Sequence, residues 1–179
     1  MALKTGASYV IVNKLTGFVV DLSAGDNKSV ILFDLNGDSN QQWVAKKVGS
    51  FWTFQSKATG SYLGVAGEPV AQSLVVASKD AVRWTVEPDP TCAEFSRIIH
   101  GSTNFSLDIQ EKDEAVPGTK VILGEYVAEG QQSWRFEEFP LNTEFQFFRS
   151  LVVDISFISC RRSNIVKNPT WVTLTGLFA

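Results

Sequence analysis

Hydrophobic residues in the first 139 positions fall into short runs of four to six, such as 9–12 and 30–33, rich in β-branched and aromatic side chains. Gly, Asn, Asp and Ser separate these runs. No long window keeps apolar residues at the three- and four-residue spacing of an amphipathic helix. Short strands cut by turn residues are typical of sandwiches and barrels, so the pattern predicts an all-β fold.

The strand pattern repeats three times, approximately over residues 9–49, 50–90 and 91–139. Each unit has a threonine at an early turn and a tryptophan near its end. These residues are Thr16, Thr59 and Thr103, and Trp43, Trp84 and Trp134. Three units of about four strands are too few for a propeller, which needs at least four blades. We therefore predict a β-trefoil with pseudo-threefold symmetry and the three tryptophans in its core.

One turn position carries Gly17, Gly60 and Asn104 in the three units. These residue types tolerate a positive φ, which a tight hairpin turn demands. We therefore expect all three residues to adopt that conformation.

Two Gln-x-Trp motifs stand at matching places in the first and third units, at 40–43 and 131–134, while the second unit has Ala-Val-Arg-Trp at 81–84. With these motifs, residues 5–139 resemble the ricin B-chain-like (R-type) lectins, and in particular their small fungal members. The resemblance implies a β-trefoil that binds carbohydrate and catalyses no reaction. It also implies ligands with terminal galactose or N-acetylgalactosamine, and a role in defence against animals that feed on the producer.

A galactose-type site needs three kinds of group. A carboxylate accepts hydrogen bonds from neighbouring hydroxyls, an aromatic face covers the apolar C–H patch of the ring, and a side-chain amide orients the sugar. The resemblance places the acid at the end of the second strand, the aromatic at the end of the third, and the amide before Gln-x-Trp. The first repeat supplies Asp21, Phe33, Asn40 and the supporting Gln41, with backbone groups of Asn36 and Gly37 at the edge of the pocket. We expect the main site here, with Asp21 on a loop edge outside the core.

The other two repeats are less complete. The second has Gly64 in place of the acid and Val82 in place of the Gln, so we expect no site there. The third has Gly124 at the aromatic position, with Tyr126 as a substitute two residues further on. The residues that it retains are Asp108, Gln131 and Gln132. We expect at most a weaker second site.

Charge and composition argue against several other classes of function. The net charge of -3 argues against a nucleic-acid partner, which requires clustered positive charge. No apolar stretch reaches the roughly 18 residues of a membrane span, and the opening residues lack the apolar core of a signal peptide, so we expect a cytoplasmic protein. With one histidine and no metal-ligand spacing, the sequence predicts no metal site, no cofactor and no catalytic site.

Residues 140–179 show no trace of the repeat, although they contain apolar runs at 145–148 and 151–158. A helix or hairpin packed on the barrel, an oligomer contact and a gene-model error all stay open for this C-terminal extension. Dimerisation is common among small lectins of the resembling kind, and a homodimer stays open as well.

Three rival functions also stay open. Some fungal β-trefoils inhibit proteases through exposed loops, and residues 67–71 and 114–118 are candidates for such loops. A scaffold trefoil with no sugar-binding role is the second rival, and a carbohydrate-binding module severed from an enzyme is the third.

Overall fold

A computed structural model describes residues 2–127 and 129–140. The predicted C-terminal extension lies outside the described residues except for Pro140. The strands are β1 (Ser8–Asn13), β2 (Val19–Leu22), β3 (Val30–Phe33), β4 (Trp43–Val48), β5 (Phe51–Ser56), β6 (Tyr62–Val65), β7 (Val75–Ser78), β8 (Trp84–Asp89), β9 (Cys92–His100), β10 (Ser106–Ile109), β11 (Val121–Gly124) and β12 (Trp134–Phe139). Short 3₁₀ turns lie at Ser39–Gln41, Lys112–Glu114 and Gly130–Gln132.

Six of these strands form a closed antiparallel barrel. β1 pairs with β12 and β4, β5 pairs with β4 and β8, and β9 pairs with β8 and β12, which completes the ring. The other six strands form the hairpins β2–β3, β6–β7 and β10–β11. Isolated bridges join each hairpin to the other two, at Ser29–Val76, Ile31–Lys120 and Leu74–Ile122. The hairpins thus make a triangular cap, and the predicted β-trefoil is confirmed.

The three repeat tryptophans lie in the core, as predicted, and each is fully buried at the start of the fourth strand of its repeat. Each indole Nε1 donates a 3.0 Å hydrogen bond to a backbone carbonyl in the second strand of the same repeat. The pairs are Trp43 with Val20, Trp84 with Leu63, and Trp134 with Leu107. A buried N–H without a partner is costly, so this repeated bond satisfies the indole and ties the cap to the barrel.

The early turns follow the prediction in two repeats only. Gly17 and Gly60 have φ values of 73° and 75°. Their N–H groups close the turns by donating to the carbonyls of Asn13 and Ser56. The prediction for Asn104 is wrong, because this residue has no positive φ. The third turn is instead closed one residue earlier, where Thr103 N–H donates to His100 O at 3.1 Å.

A buried carboxylate, Asp89, connects all three repeats. Its Oδ1 accepts hydrogen bonds from the N–H groups of Thr91 and Cys92 in the turn after β8, and its Oδ2 accepts one from the Ser133 hydroxyl. Lys14 Nζ, from the first repeat, lies 4.0 Å from Oδ2. Burial raises the pKa of Asp89, but the hydrogen bonds from Ser133 and Thr91 outweigh it, and the pKa is lowered overall. The ionised form of Asp89 therefore stabilises the junction.

Candidate functional site

Asp21 is the centre of the candidate site in the first repeat. It lies in β2 and is only 3% exposed, so the expectation of a loop-edge position is wrong. Its Oδ1 accepts a hydrogen bond from Asn40 Nδ2 at 2.9 Å, and its Oδ2 accepts one from Gln41 Nε2 at 2.8 Å. A carboxylate has about four acceptor positions, so each oxygen can accept a further bond. The structure thus brings together three residues that the sequence analysis selected.

Gln41, the Gln of the first Gln-x-Trp motif, holds the loop that follows β3. Its Nε2 also donates to the carbonyl of Asp34 at 2.8 Å. Its Oε1 accepts from the N–H groups of Asn36 at 2.9 Å and Gly37 at 3.4 Å. The backbone N–H groups that we expected at the edge of the pocket are therefore directed to Gln41, and their role is to support the site.

The hydrogen-bond partners of the buried Asp21 carboxylate compensate only part of the cost of burying its charge. Burial raises its pKa, and the bonds from Gln41 and Asn40 offset that rise only in part. Both partners are neutral amides, and Asp21 forms no ion pair in the described part of the chain. A buried charge with only neutral partners gains from additional donors, such as ligand hydroxyls.

Phe33 places an aromatic face beside this carboxylate. Asp21 is paired with Ile31 across the β2–β3 hairpin, and Phe33 lies two residues beyond Ile31, on the same face of the sheet. Phe33 is 39% exposed although it is large and apolar. An open ring beside a carboxylate is the combination that covers the C–H patch of a pyranose while its hydroxyls are bound.

The second repeat has no room for an acid. A Cβ on Gly64 would lie 2.5 Å from the Cβ of Ser78, the residue that corresponds to Phe33. Val82 packs against the hydrophobic core in the place of Gln41. The second repeat thus lacks the acid, the aromatic and the amide, and it has the geometry expected of a repeat without a site.

The third repeat keeps the acid and the supporting amide. Asp108 is buried, and its Oδ2 accepts from Gln132 Nε2 at 2.8 Å, as in the first repeat. Its Oδ1, however, accepts from the N–H of the next residue, Ile109, at 2.7 Å. Burial raises the pKa of Asp108, and these two bonds oppose the rise. The amide of Gln131 interacts with Glu129, so it does not repeat the role of Asn40.

The third repeat offers no open aromatic ring at the position of Phe33. A Cβ on Gly124 would lie 2.1 Å from Asp108 Oδ2, because the carboxylate itself occupies the space above this glycine. Tyr126 is 44% exposed, but the guanidinium of Arg97 lies 4.0 Å from the centre of its ring. Tyr126 is therefore engaged by a cation and does not replace Phe33.

A cavity of about 410 Å³ nevertheless lies beside Asp108. Its polar lining residues are Gln72, Asp108, Glu111, Lys112, Asp113, Glu114 and Gln131. Sequence reasoning missed this cavity, because one wall comes from the segment between β10 and β11. That segment, 110–120, is longer than its counterpart 23–29 in the first repeat, which was the available signal.

Comparison with known proteins places this geometry in a family. A family model described as "Ricin-type beta-trefoil lectin domain-like" matches residues 39–124. The solved ricin B-like lectin of Macrolepiota procera, in complex with lactose, is 36% identical, with a TM-score of 0.73. The alignment covers 76% of this chain and 98% of that lectin. The chain belongs to the ricin B-like lectin family.

Other solved structures agree with this assignment. The Rhizoctonia solani agglutinin is 27% identical, with a TM-score of 0.69 and coverage of 77% of this chain and 98% of that one. The designed threefold symmetric protein ThreeFoil is 19% identical, with a TM-score of 0.67 and coverage of 72% and 96%, and it supports the fold alone. No curated protein sequence matches. The R-type lectin resemblance is confirmed, and carbohydrate binding is the function of the family.

The described residues of this ricin B-like lectin hold neither a metal-binding cluster nor a membrane-spanning helix. They contain no group of three or more His, Cys, Asp or Glu side chains arranged to hold a metal ion. Among the same residues, no helix is long and apolar enough to cross a membrane.

Proposed function

We propose that this ricin B-like lectin binds glycans with terminal galactose or N-acetylgalactosamine, mainly through its first repeat, and that it catalyses no reaction. The observation that carries the proposal is the buried Asp21 carboxylate, held by two neutral amides beside the exposed ring of Phe33. The lactose complex of the 36% identical Macrolepiota procera lectin supports a galactoside ligand.

The chemistry of binding follows from the groups present. Two neighbouring sugar hydroxyls donate to the free acceptor positions of Asp21, and bonds to an ionised acceptor are the stronger kind. Both amide protons of Asn40 are used, by Asp21 and by the carbonyl of Leu22, so Asn40 offers its Oδ1 as an acceptor. The C–H face of the ring packs on Phe33, which favours sugars whose hydroxyls leave one face apolar.

The third repeat is proposed as a weaker second site. Its cavity contains the Asp108 carboxylate, but Gly124 and the Arg97-covered Tyr126 leave it without a stacking surface. Two sites of unequal strength, or a homodimer, would raise binding to glycan-rich surfaces through avidity.

We further propose a defence role, exerted by protein stored in the cytoplasm of the producer and released when it is eaten. Feeding the purified lectin to nematodes, with and without excess lactose, tests this role. Toxicity that lactose suppresses would support it, and a lack of toxicity would contradict it.

A calorimetric titration with lactose tests the binding proposal. Phe33→Ala should weaken binding because it removes the stacking face, and it should leave folding intact because the ring is already partly exposed. Tyr126→Ala is the matched control and should leave the lactose affinity unchanged. Folded protein that binds no galactoside, but inhibits papain or trypsin at sub-micromolar concentration, would instead establish the protease-inhibitor function.

A further inference from the structure

Each cap hairpin ends in a segment that lies against the third strand of a different repeat. We call these the tip segments; they are residues 25–28, 70–73 and 116–119. The contacts are equivalent by the threefold symmetry: Ala77 N–H donates to Lys28 O, Leu123 N–H to Ser73 O, and Leu32 N–H to Thr119 O, at 2.7–2.9 Å. Each third strand is therefore bordered by a tip segment from another repeat.

In the third repeat a tip segment forms part of the wall of the cavity beside Asp108. Among its lining residues is Gln72, which belongs to the tip segment of the second repeat. At the first-repeat site the equivalent residue is Gly118, which belongs to the tip segment of the third repeat. Both have a positive φ, 69° for Gln72 and 99° for Gly118, and both donate their N–H to a third strand, at Leu123 O and Leu32 O. Since Phe33 directly follows Leu32, the tip segment 116–119 borders the Asp21–Phe33 site.

This tip segment is a preorganised turn. Thr119 N–H donates to Val116 O, and Val116 N–H donates to the Thr119 hydroxyl, both at 3.0 Å. Pro117 and the positive-φ Gly118 occupy the two central positions, the preferred composition of a type II turn. Such a turn loses little conformational freedom when it contacts a ligand.

The surface that the turn presents is apolar and open. Val116 is 59% exposed, which is unusual for a branched apolar residue on a rigid turn. A Cβ on Gly118 would meet no heavy atom within 4 Å, so the space above this glycine is empty. Residues 116–119 carry no charge. A neutral ligand with an apolar face, such as a second pyranose ring, suits this surface.

We propose that the first-repeat site is composite and selects a disaccharide or longer glycan. The terminal galactose-type ring binds at Asp21 and Phe33, and the next ring packs on Val116 of the third-repeat tip segment. The inference rests on the proposed function, since it places the reducing-side neighbour of the same terminal sugar. Val116 is then a specificity residue that distinguishes chain length.

The test compares lactose with methyl β-galactoside by calorimetry on the full chain. Val116→Ser should lower the lactose affinity about threefold or more, the loss expected when a methylene-sized apolar contact is removed, and should leave the methyl galactoside affinity unchanged. Val70→Ser is the matched control. Val70 is 55% exposed at the equivalent position of the tip segment that borders the third repeat, so both affinities should stay unchanged.

The outcomes separate the two proposals. Wild-type protein that binds both sugars, with a Val116→Ser variant that changes neither affinity or changes both equally, would overturn the composite site and leave the galactoside-binding function standing. Folded wild-type protein that binds neither sugar would overturn the proposed function and this inference with it. Thermal unfolding of each variant verifies that the comparison is made on folded protein.

Discussion

Replacing Asp21 by Asn preserves the size of the side chain but exchanges an ionised, two-oxygen acceptor for an amide with one acceptor oxygen. Hydrogen bonds to charged groups contribute about 1.5–3 kcal/mol each, so losing one of the two proposed sugar bonds should weaken lactose binding by at least tenfold. The matched change, Asp108→Asn, should cost much less, because the third repeat lacks a stacking surface.

The same change also affects folding, since Asp21 is buried and each of its oxygens accepts a hydrogen bond from a neighbouring amide. The new amide nitrogen must face either Asn40 Nδ2 or Gln41 Nε2, and a buried donor without an acceptor costs about 1–3 kcal/mol. Part of that cost is offset, because burial penalises the charge of Asp21 and raises its pKa. We expect a stability loss that leaves the variant folded at 25 °C.

Calorimetric titration with lactose at pH 7, paired with urea unfolding, separates the two effects of each variant. Equal losses of affinity in Asp21→Asn and Asp108→Asn would mean that both repeats bind, and a larger loss in Asp108→Asn would reverse the ranking of the sites. No loss in either folded variant would refute the role assigned to the carboxylate.

The pH dependence of lactose binding gives a second readout. In the proposed site the ionised carboxylate binds the sugar, so affinity should fall as the pH is lowered through the pKa of Asp21. Because burial raises that pKa, the fall should begin at a higher pH than the ordinary value of 3.8 implies. The Asp21→Asn variant should not show this fall; a wild-type affinity that is constant down to pH 3.8 would contradict the assignment.

Three further changes test the fold. Asp89→Asn should lower the free energy of unfolding by about 1.5–3 kcal/mol at pH 7. The folded-state pKa of Asp89 is lowered, so this difference should shrink as the pH falls below 3.8, and equal urea midpoints at pH 7 would count against it. Gly64→Asp should destabilise the chain by about 1–3 kcal/mol and create no binding event beyond those of the unmutated protein, and adding Ser78→Gly should restore stability. A chain that ends at Phe139 should unfold cooperatively and bind lactose like the full chain; an insoluble product would show that the sequence-based boundary is wrong.

The fold could be predicted because its determinants recur in the sequence. The tryptophan near the end of each unit indicates a large core position that recurs three times. The turn glycines Gly17 and Gly60 indicate a positive φ, which most residues avoid. The prediction failed at Asn104 because the same turn residues can form the closing hydrogen bond with a different backbone N–H. Only the hydrogen bond from Thr103 N–H to His100 O reveals that the third turn closes one residue earlier.

The candidate site could be predicted in part. The assembly of Asp21, Asn40 and Gln41 follows from their places relative to the core tryptophan, which the fold holds constant. The position of Asp108 Oδ2 above Gly124 could not be read in the same way, because it depends on side-chain rotation within one hairpin. The contribution of 116–119 to the first repeat also lay beyond sequence reasoning, since each repeat was treated as the sole source of its own site.

The pairing of β1 with β12 has a consequence for how the lectin is made. During translation β1 is synthesised early, whereas its partner β12 is complete only after residue 139 has been added. At cellular elongation rates the delay between the two strands is on the order of ten seconds. Until then the barrel is open, and the core around Trp43 and Trp84 is incomplete, so these side chains are not fully buried. The cap hairpins can form during synthesis because their strands are neighbours in the chain, but the barrel must wait for release of its last strand. Nascent chains that stall before that point would present aromatic surface and unpaired strand edges, the features that attract chaperones and promote aggregation.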